Sequence, residues 1–163
     1  MPTANGKRCL DLITKMITCT FEDGGKGSQR HVVVDAIVID KNKILLIKRA
    51  AHLTNGGKYA FPGGFLDRDE TAEQAVIREV KEETGYDVKV EKLFTILDNP
   101  DRPQEDRQNV AFIYVVKPLN QSGTADSEVT EVKWFDLNKL PPEDEFAFDH
   151  YQTISEFRKN YTS

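Results

Sequence analysis

The sequence predicts an α/β fold in which a mixed β-sheet lies between helices. Three observations carry that expectation. Runs rich in β-branched and apolar residues stand both before and after one amphipathic helical stretch. A second helical pattern closes the chain. Polar, turn-forming segments separate these runs. Strands on both sides of a helix, followed by a further helix, call for a sheet covered on both faces.

Residues 1–30 are the least legible. Leu10, Leu12, Ile13, Met16 and Ile17 recur at helix-like spacing, yet the segment Ile17 to Phe21 reads as a strand, and a glycine-rich loop follows it. We expect an N-terminal extension, an extra strand or hairpin, ahead of a domain spanning 31–163. His31 to Asp40 and Ile44 to Lys48 are two apolar runs joined by polar residues, a hairpin pattern. After a loop and the segment Phe61-Pro62-Gly63-Gly64, Thr71 and Gln74 form a capping box that starts a helix. Ala72, Ala75, Val76 and Val80 supply its apolar stripe, and Gly85 stops it in a left-handed conformation. Val88 to Leu97, Val110 to Val116 and Glu131 to Phe135 read as further strands. Asp149 then caps a helix from His150 to about Lys159, with Tyr151, Ile154 and Phe157 on its apolar side.

The chain has 163 residues, the size of one domain with a short extension. Its 39% hydrophobic and 30% charged content fits a globular protein. No apolar run reaches membrane-spanning length, and Asp11 and Lys15 interrupt what would be a signal sequence. These features predict a cytoplasmic protein with no membrane partner. Two cysteines, Cys9 and Cys19, read as free thiols rather than a disulfide framework. A net charge of −5 without a basic stripe argues against a nucleic acid polymer as partner.

The most informative stretch runs from Gly64 to Tyr86. It sets Glu79, Glu82 and Glu83 at i, i+3 and i+4 of the helix, so three like charges share one face. Glu79 and Glu83 project beside Ala72 and Val76, at the margin of the buried side, where a carboxylate is costly unless paired or metal-bound. A hard divalent cation converts that repulsion into coordination.

In this stretch Gly64, Glu70, Arg78, Glu79, Val80, Glu82, Glu83 and Gly85 fall in the register of the Nudix box, and the chain resembles the Nudix, or MutT-like, hydrolases. Tyr86 departs from the pattern, which places an aliphatic residue there. The resemblance implies an α/β/α sandwich and metal-dependent hydrolysis of a nucleoside diphosphate linked to another moiety, a small-molecule nucleotide substrate. It implies Mg²⁺ or Mn²⁺ held by Glu79, Glu83 and the carbonyl of Gly63, with Glu82 a third ligand or an acceptor for metal-bound water. Arg78 holds a neighbouring glutamate in orientation. Glu70 either supports the loop or favours the helix N-terminus by its charge.

The general base is an acid outside the box in many members. Glu128 is the candidate here, with Asp126, Glu131, Glu105 and Asp106 as competitors. Arg49 is a candidate phosphate clamp. Tyr59 or Phe61 is a candidate to stack on a base, with core packing as the alternative for either, and residues Phe146 to Asp149 offer a nucleobase wall. Pro100 and Pro103, in the loop beyond the box, resemble the pattern of members that cleave ADP-ribose to AMP and a sugar phosphate. The same resemblance makes Arg102 or Arg107 a candidate contact to the second phosphate or ribose. The alternatives are a MutT-type pyrophosphatase for oxidised dNTPs and a non-catalytic nucleotide-sensing module. Family members are often homodimers, and residues 1–30 offer a segment to exchange.

Overall fold

A computed structural model describes residues 16–161 of the chain. In order, the strands and helices are β1 (Ile17–Thr20), β2 (Lys26–Gln29), β3 (His31–Asp40), β4 (Lys43–Arg49), β5 (Tyr59–Ala60), β6 (Gly63–Phe65), α1 (Ala72–Thr84), β7 (Tyr86–Leu97), β8 (Asn109–Gln121), β9 (Val129–Asp136) and α2 (His150–Tyr161). A 3-10 turn, Glu143–Glu145, precedes α2.

β1 and β2 pair antiparallel as a separate ribbon. Within residues 1–30, Ile17 to Gln29 form a hairpin; Cys9 and the helix-like spacing from Leu10 to Ile13 lie outside the described residues. The other strands form one mixed sheet in the order β5-β4-β3-β8-β7, with β6 also on β3 and β9 also on β4. β3 runs antiparallel to β4 and parallel to β8. The late strands run longer than their apolar cores suggested, because the ladder continues through polar residues such as Asn120 and Gln121, paired with Asp87 and Tyr86.

Alternation along β3 sorts the core onto the two faces of the sheet. Val34, Ala36 and Val38 pack with Leu45, Tyr114 and Val116 against Ala75, Val76 and Val80 of α1. Ile37 and Ile39 pack with Ile44, Leu46, Ile113 and Val115 against Ile154 and Phe157 of α2. Asp35 shares the parity of Ile37 and Ile39, so a carboxylate stands on the α2 face. Trp134 packs beside α1, its ring edge-on to Tyr86 and its Nε1–H donating to the Tyr86 hydroxyl at 3.3 Å. A polar phenol thus serves where an aliphatic side chain was expected.

Both helix ends are specified locally. Thr71 and Gln74 complete the capping box, each side chain accepting the other's main-chain N–H. Gly85 adopts φ 74°, and its carbonyl accepts the N–H groups of Ser122 and Gly123 at 3.0 and 3.1 Å. This turn fixes α1 against the end of β8.

Candidate active site

β6 brings the chain back along β3. In that antiparallel ladder Ala36 N–H reaches the Pro62 carbonyl at 2.9 Å, and Leu66 N–H reaches Val32 at 3.0 Å. The intervening pair Asp35–Gly63 is therefore a non-hydrogen-bonded pair. Its consequence falls on Gly63, whose N–H and C=O both face away from β3. The N–H donates to Glu83 Oε2 at 2.8 Å. Gly63 and Gly64 thus stand in a strand, and the Pro62 carbonyl is already engaged; the Gly63 carbonyl is left out of the ladder. A Cβ at residue 63 would lie 2.6 Å from Asp35 Oδ1, and one at residue 64 would lie 2.5 Å from Glu79 Oε1. Two glycines thus admit two carboxylates to the strand.

Arg78 organises the acids of α1. Its guanidinium forks onto Glu70 at 2.7 and 3.1 Å, and it reaches Glu79 at 2.7 Å, Glu82 at 3.2 Å and the Phe65 carbonyl at 3.0 Å. The bonds to Glu70 above all strengthen its hold on the proton, and they keep the Glu70 carboxyl below its ordinary range. Glu70, itself donated to by Asp67 N–H at 2.8 Å, is a support of this loop. Burial raises the carboxyl of Glu79 despite Arg78. Burial raises Glu83 further, with Glu79 and Asp126 adding to it and the Gly63 N–H opposing it. Glu83 is 4% exposed, whereas the Glu82 side chain is half exposed.

These groups open on a cavity of about 450 Å³. Glu79, Glu82, Glu83, Asp126 and Glu128 line one part of it; Asp35, His150, Glu105 and Asn109 line another. Nine carboxylates line it against two arginines, Arg49 and Arg107, so an anionic ligand needs added positive charge to enter. Among the described residues, no three acidic or imidazole groups are already drawn together as a metal cage. Arg78 holds one oxygen of Glu79 and one of Glu82, and Gly63 holds one of Glu83. The donor set nevertheless fits a hard divalent cation: carboxylate oxygens, two of them on groups whose ionisation burial opposes, next to an unused carbonyl.

The cavity gathers Gly63, Glu79, Glu82, Glu83, Glu128 and Arg49 from the sequence candidates. Arg78 sits behind them. Three other candidates are corrected. Phe61 is 2% exposed and its ring stacks on His150, so it belongs to the core. Arg102 forks onto Asp149 at 2.7 and 2.8 Å and lies 3.3 Å from Glu105, which removes both Arg102 and Asp149 from the cavity wall. Burial pushes the Asp149 carboxyl up, but the bonds and charge of Arg102 outweigh it and leave the group below its usual range. The Asp149 main-chain carbonyl accepts the Thr153 N–H of α2 at 3.0 Å, while its carboxylate serves Arg102 instead.

Asp35, Asn109, Phe65 and His150 line the cavity without having been singled out from the sequence. The available signal was Asp35, a lone acid inside an apolar strand run. Burial raises its carboxyl to about 7, and burial lowers the imidazole of His150 to about 3. Phe148 and Phe65 supply the aromatic walls, with Arg49 5.3 Å from the first ring and Arg107 5.2 Å from the second.

Comparison with known proteins agrees with this geometry. The model of the NUDIX domain matches residues 29–157. The chain belongs to the Nudix hydrolase family. It is 38% identical over 128 residues to an ADP-ribose pyrophosphatase of Methanocaldococcus jannaschii, covering 78% of this chain and 73% of that one. It is 38% identical over 92 residues to an 8-oxo-dGTP diphosphatase of Proteus vulgaris, covering 56% of this chain and 80% of the other. A solved structure of a bifunctional NMN adenylyltransferase/ADP-ribose pyrophosphatase from Francisella tularensis, complexed with AMP and a manganese ion, superposes with a TM-score of 0.66 at 30% identity. That match covers 80% of this chain but 42% of the larger protein. Among the described residues, no helix is long and apolar enough to cross a membrane.

Proposed function

We propose that this chain hydrolyses ADP-ribose or a related nucleotide sugar to AMP and a sugar phosphate, with Mg²⁺ or Mn²⁺ as cofactor. The observation that carries this is the cavity itself, where the box glutamates of α1 and two arginines meet. The likeness to an ADP-ribose pyrophosphatase over most of the chain supports the choice of substrate.

Glu79, Glu82, Glu83 and the Gly63 carbonyl would hold the cation. Bound there, it supplies Lewis acidity toward phosphoryl oxygens and makes hydroxide accessible near neutral pH. Arg49 is preset for a phosphate oxygen because its Nε–H already donates to the Thr54 carbonyl at 2.9 Å. Arg107, bonded to Asp106 at 2.9 Å, brings the second positive charge from the facing loop. Arg78 acts through the glutamates it orients rather than on the substrate. Glu128, exposed at the mouth with its N–H tied to Asp126 Oδ1 at 2.9 Å, is the acid we assign to proton acceptance.

The test is a substrate panel of ADP-ribose, other nucleotide sugars, dinucleoside polyphosphates, NADH, dGTP and 8-oxo-dGTP, each with Mg²⁺ and with Mn²⁺. AMP and ribose 5-phosphate from ADP-ribose are the expected products. Pyrophosphate released from 8-oxo-dGTP, with ADP-ribose left intact, would select the MutT-type reading, which the match to the Proteus enzyme favours.

A further inference from the structure

His150 Nδ1 accepts the main-chain N–H of Phe61 at 3.0 Å. The neutral ring must then carry its proton on Nε2. Nε2 stands 4.0 Å from Asp35 Oδ2, beyond hydrogen-bond reach. Neither atom has a hydrogen-bond partner among the described residues, although the His150 side chain is only 3% exposed and that of Asp35 13%. Both residues line the cavity. A donor and an acceptor thus stand side by side at the cavity surface, both open to one ligand atom placed between them.

From this we infer that Asp35 and His150 form a subsite for one sugar hydroxyl of the substrate, which accepts from His150 Nε2–H and donates to the Asp35 carboxylate. The inference rests on the nucleotide-sugar reading above and adds the residues that select the sugar. One tetrahedral oxygen fits the gap. Placed about 2.8 Å from each partner, it subtends an angle of roughly 90°. Two carboxyl groups, Asp35 and Glu105, share this wall and make it a poor place for a phosphate. An ammonium group cannot accept from Nε2.

The neighbouring wall supports a built site. Phe148 holds φ 54°, a left-handed conformation that a bulky side chain adopts only when its surroundings impose it. Its ring centroid lies 5.3 Å from that of His150, with Arg49 at 5.3 Å. This places an apolar surface beside the hydrogen-bonding pair, as the carbon face of a pentose requires.

The test is equilibrium binding of the full chain by calorimetry, with Mg²⁺ at the same saturating concentration in every run. The ligand pairs are AMP against 2′-deoxy-AMP, AMP against 3′-deoxy-AMP, and ribose 5-phosphate against 2-deoxyribose 5-phosphate. In the native protein, one pair should differ by about tenfold in Kd. Asp35→Ala should abolish that difference, and Asp35→Asn, whose amide oxygen still accepts, should retain most of it. Equal binding within every pair, no binding of any of these ligands, or a difference that survives in Asp35→Ala would each overturn the subsite. The first pair or the second assigns the hydroxyl to the nucleoside ribose; the third assigns it to the distal sugar. Failure of ADP-ribose hydrolysis in the substrate panel would sink the proposed reaction while leaving these binding differences in place, so the two failures are separable.

Discussion

Glu83 Oε2 accepts the main-chain N–H of Gly63 at 2.8 Å, which fastens the last turn of α1 to β6. The same carboxyl is raised well above its ordinary value, first by burial. Glu83→Gln keeps an oxygen for the Gly63 N–H and removes a charge that the site disfavours. This variant should unfold at a temperature no lower than the native protein at pH 8. Its turnover, like that of Glu82→Gln, should fall by about a hundredfold or more, a loss typical of removing one electrostatic contact to the reacting group. A melting curve and kcat with saturating Mg²⁺ check both halves. Near-native turnover in both variants would reject the glutamate assignment.

Arg49 is anchored by the Thr54 carbonyl and lies over the Phe148 ring. A lysine there retains the charge but loses the planar fork. Arg49→Lys should therefore raise KM by about tenfold with kcat changed far less, the pattern of lost uniform binding. Steady-state kinetics on the substrate found by the panel would show it, and an unchanged KM would take Arg49 out of phosphate binding.

Arg102 and Asp149 join the loop after β7 to the start of α2 by two hydrogen bonds, with Glu105 beside them. The Arg102 side chain is 4% exposed, so Arg102→Met strands two mostly buried carboxyls. That should cost about 3 kcal/mol, the lower end for breaking a buried pair, because Asp149 keeps some solvent contact. Adding Asp149→Leu should restore part of the loss. Urea unfolding of the single and double variants measures both. A double variant as unstable as the sum of the single losses would show that the two side chains do not act as a pair.

The parts of this protein that follow from local chemistry were legible in the sequence. The capping box at Thr71, the stop at Gly85 and the crowded glutamates of α1 need only neighbours a few positions away. The β3–β4 hairpin, too, is visible in its own residues. What escaped depends on pairings distant in sequence. Phe61 and Arg102 carry the right chemistry for a ligand, but Phe61 meets His150 and Arg102 meets Asp149, and both are thereby used up inside the protein. Asp35 looked like one more residue of an apolar strand until β6 laid Gly63 beside it and made room for its carboxyl. The ends of β8 and β9 were underestimated because strand pairing, rather than hydrophobicity, sets their length.

His150 and Asp35 pull the pH dependence of stability in opposite directions. Burial lowers His150 from 6.5 to about 3, so the unfolded chain binds the proton more readily. Its contribution is complete above the unfolded value and is lost as pH falls toward the folded one. Asp35, raised by burial from 3.8 to about 7, contributes most below pH 4 and loses that contribution as pH rises through 7. Replacing the imidazole isolates the first effect. His150→Gln retains an acceptor for the Phe61 N–H but does not titrate. The native protein should lose stability relative to this variant by about 1 kcal/mol for each pH unit below 6. Any packing lost with the ring shifts the variant by a constant that does not depend on pH. Urea unfolding of both proteins between pH 4.5 and 7.5 measures the difference. Parallel curves across that range would mean that His150 takes up its proton in the folded state as easily as in water, and the closed, neutral ring described here would be wrong.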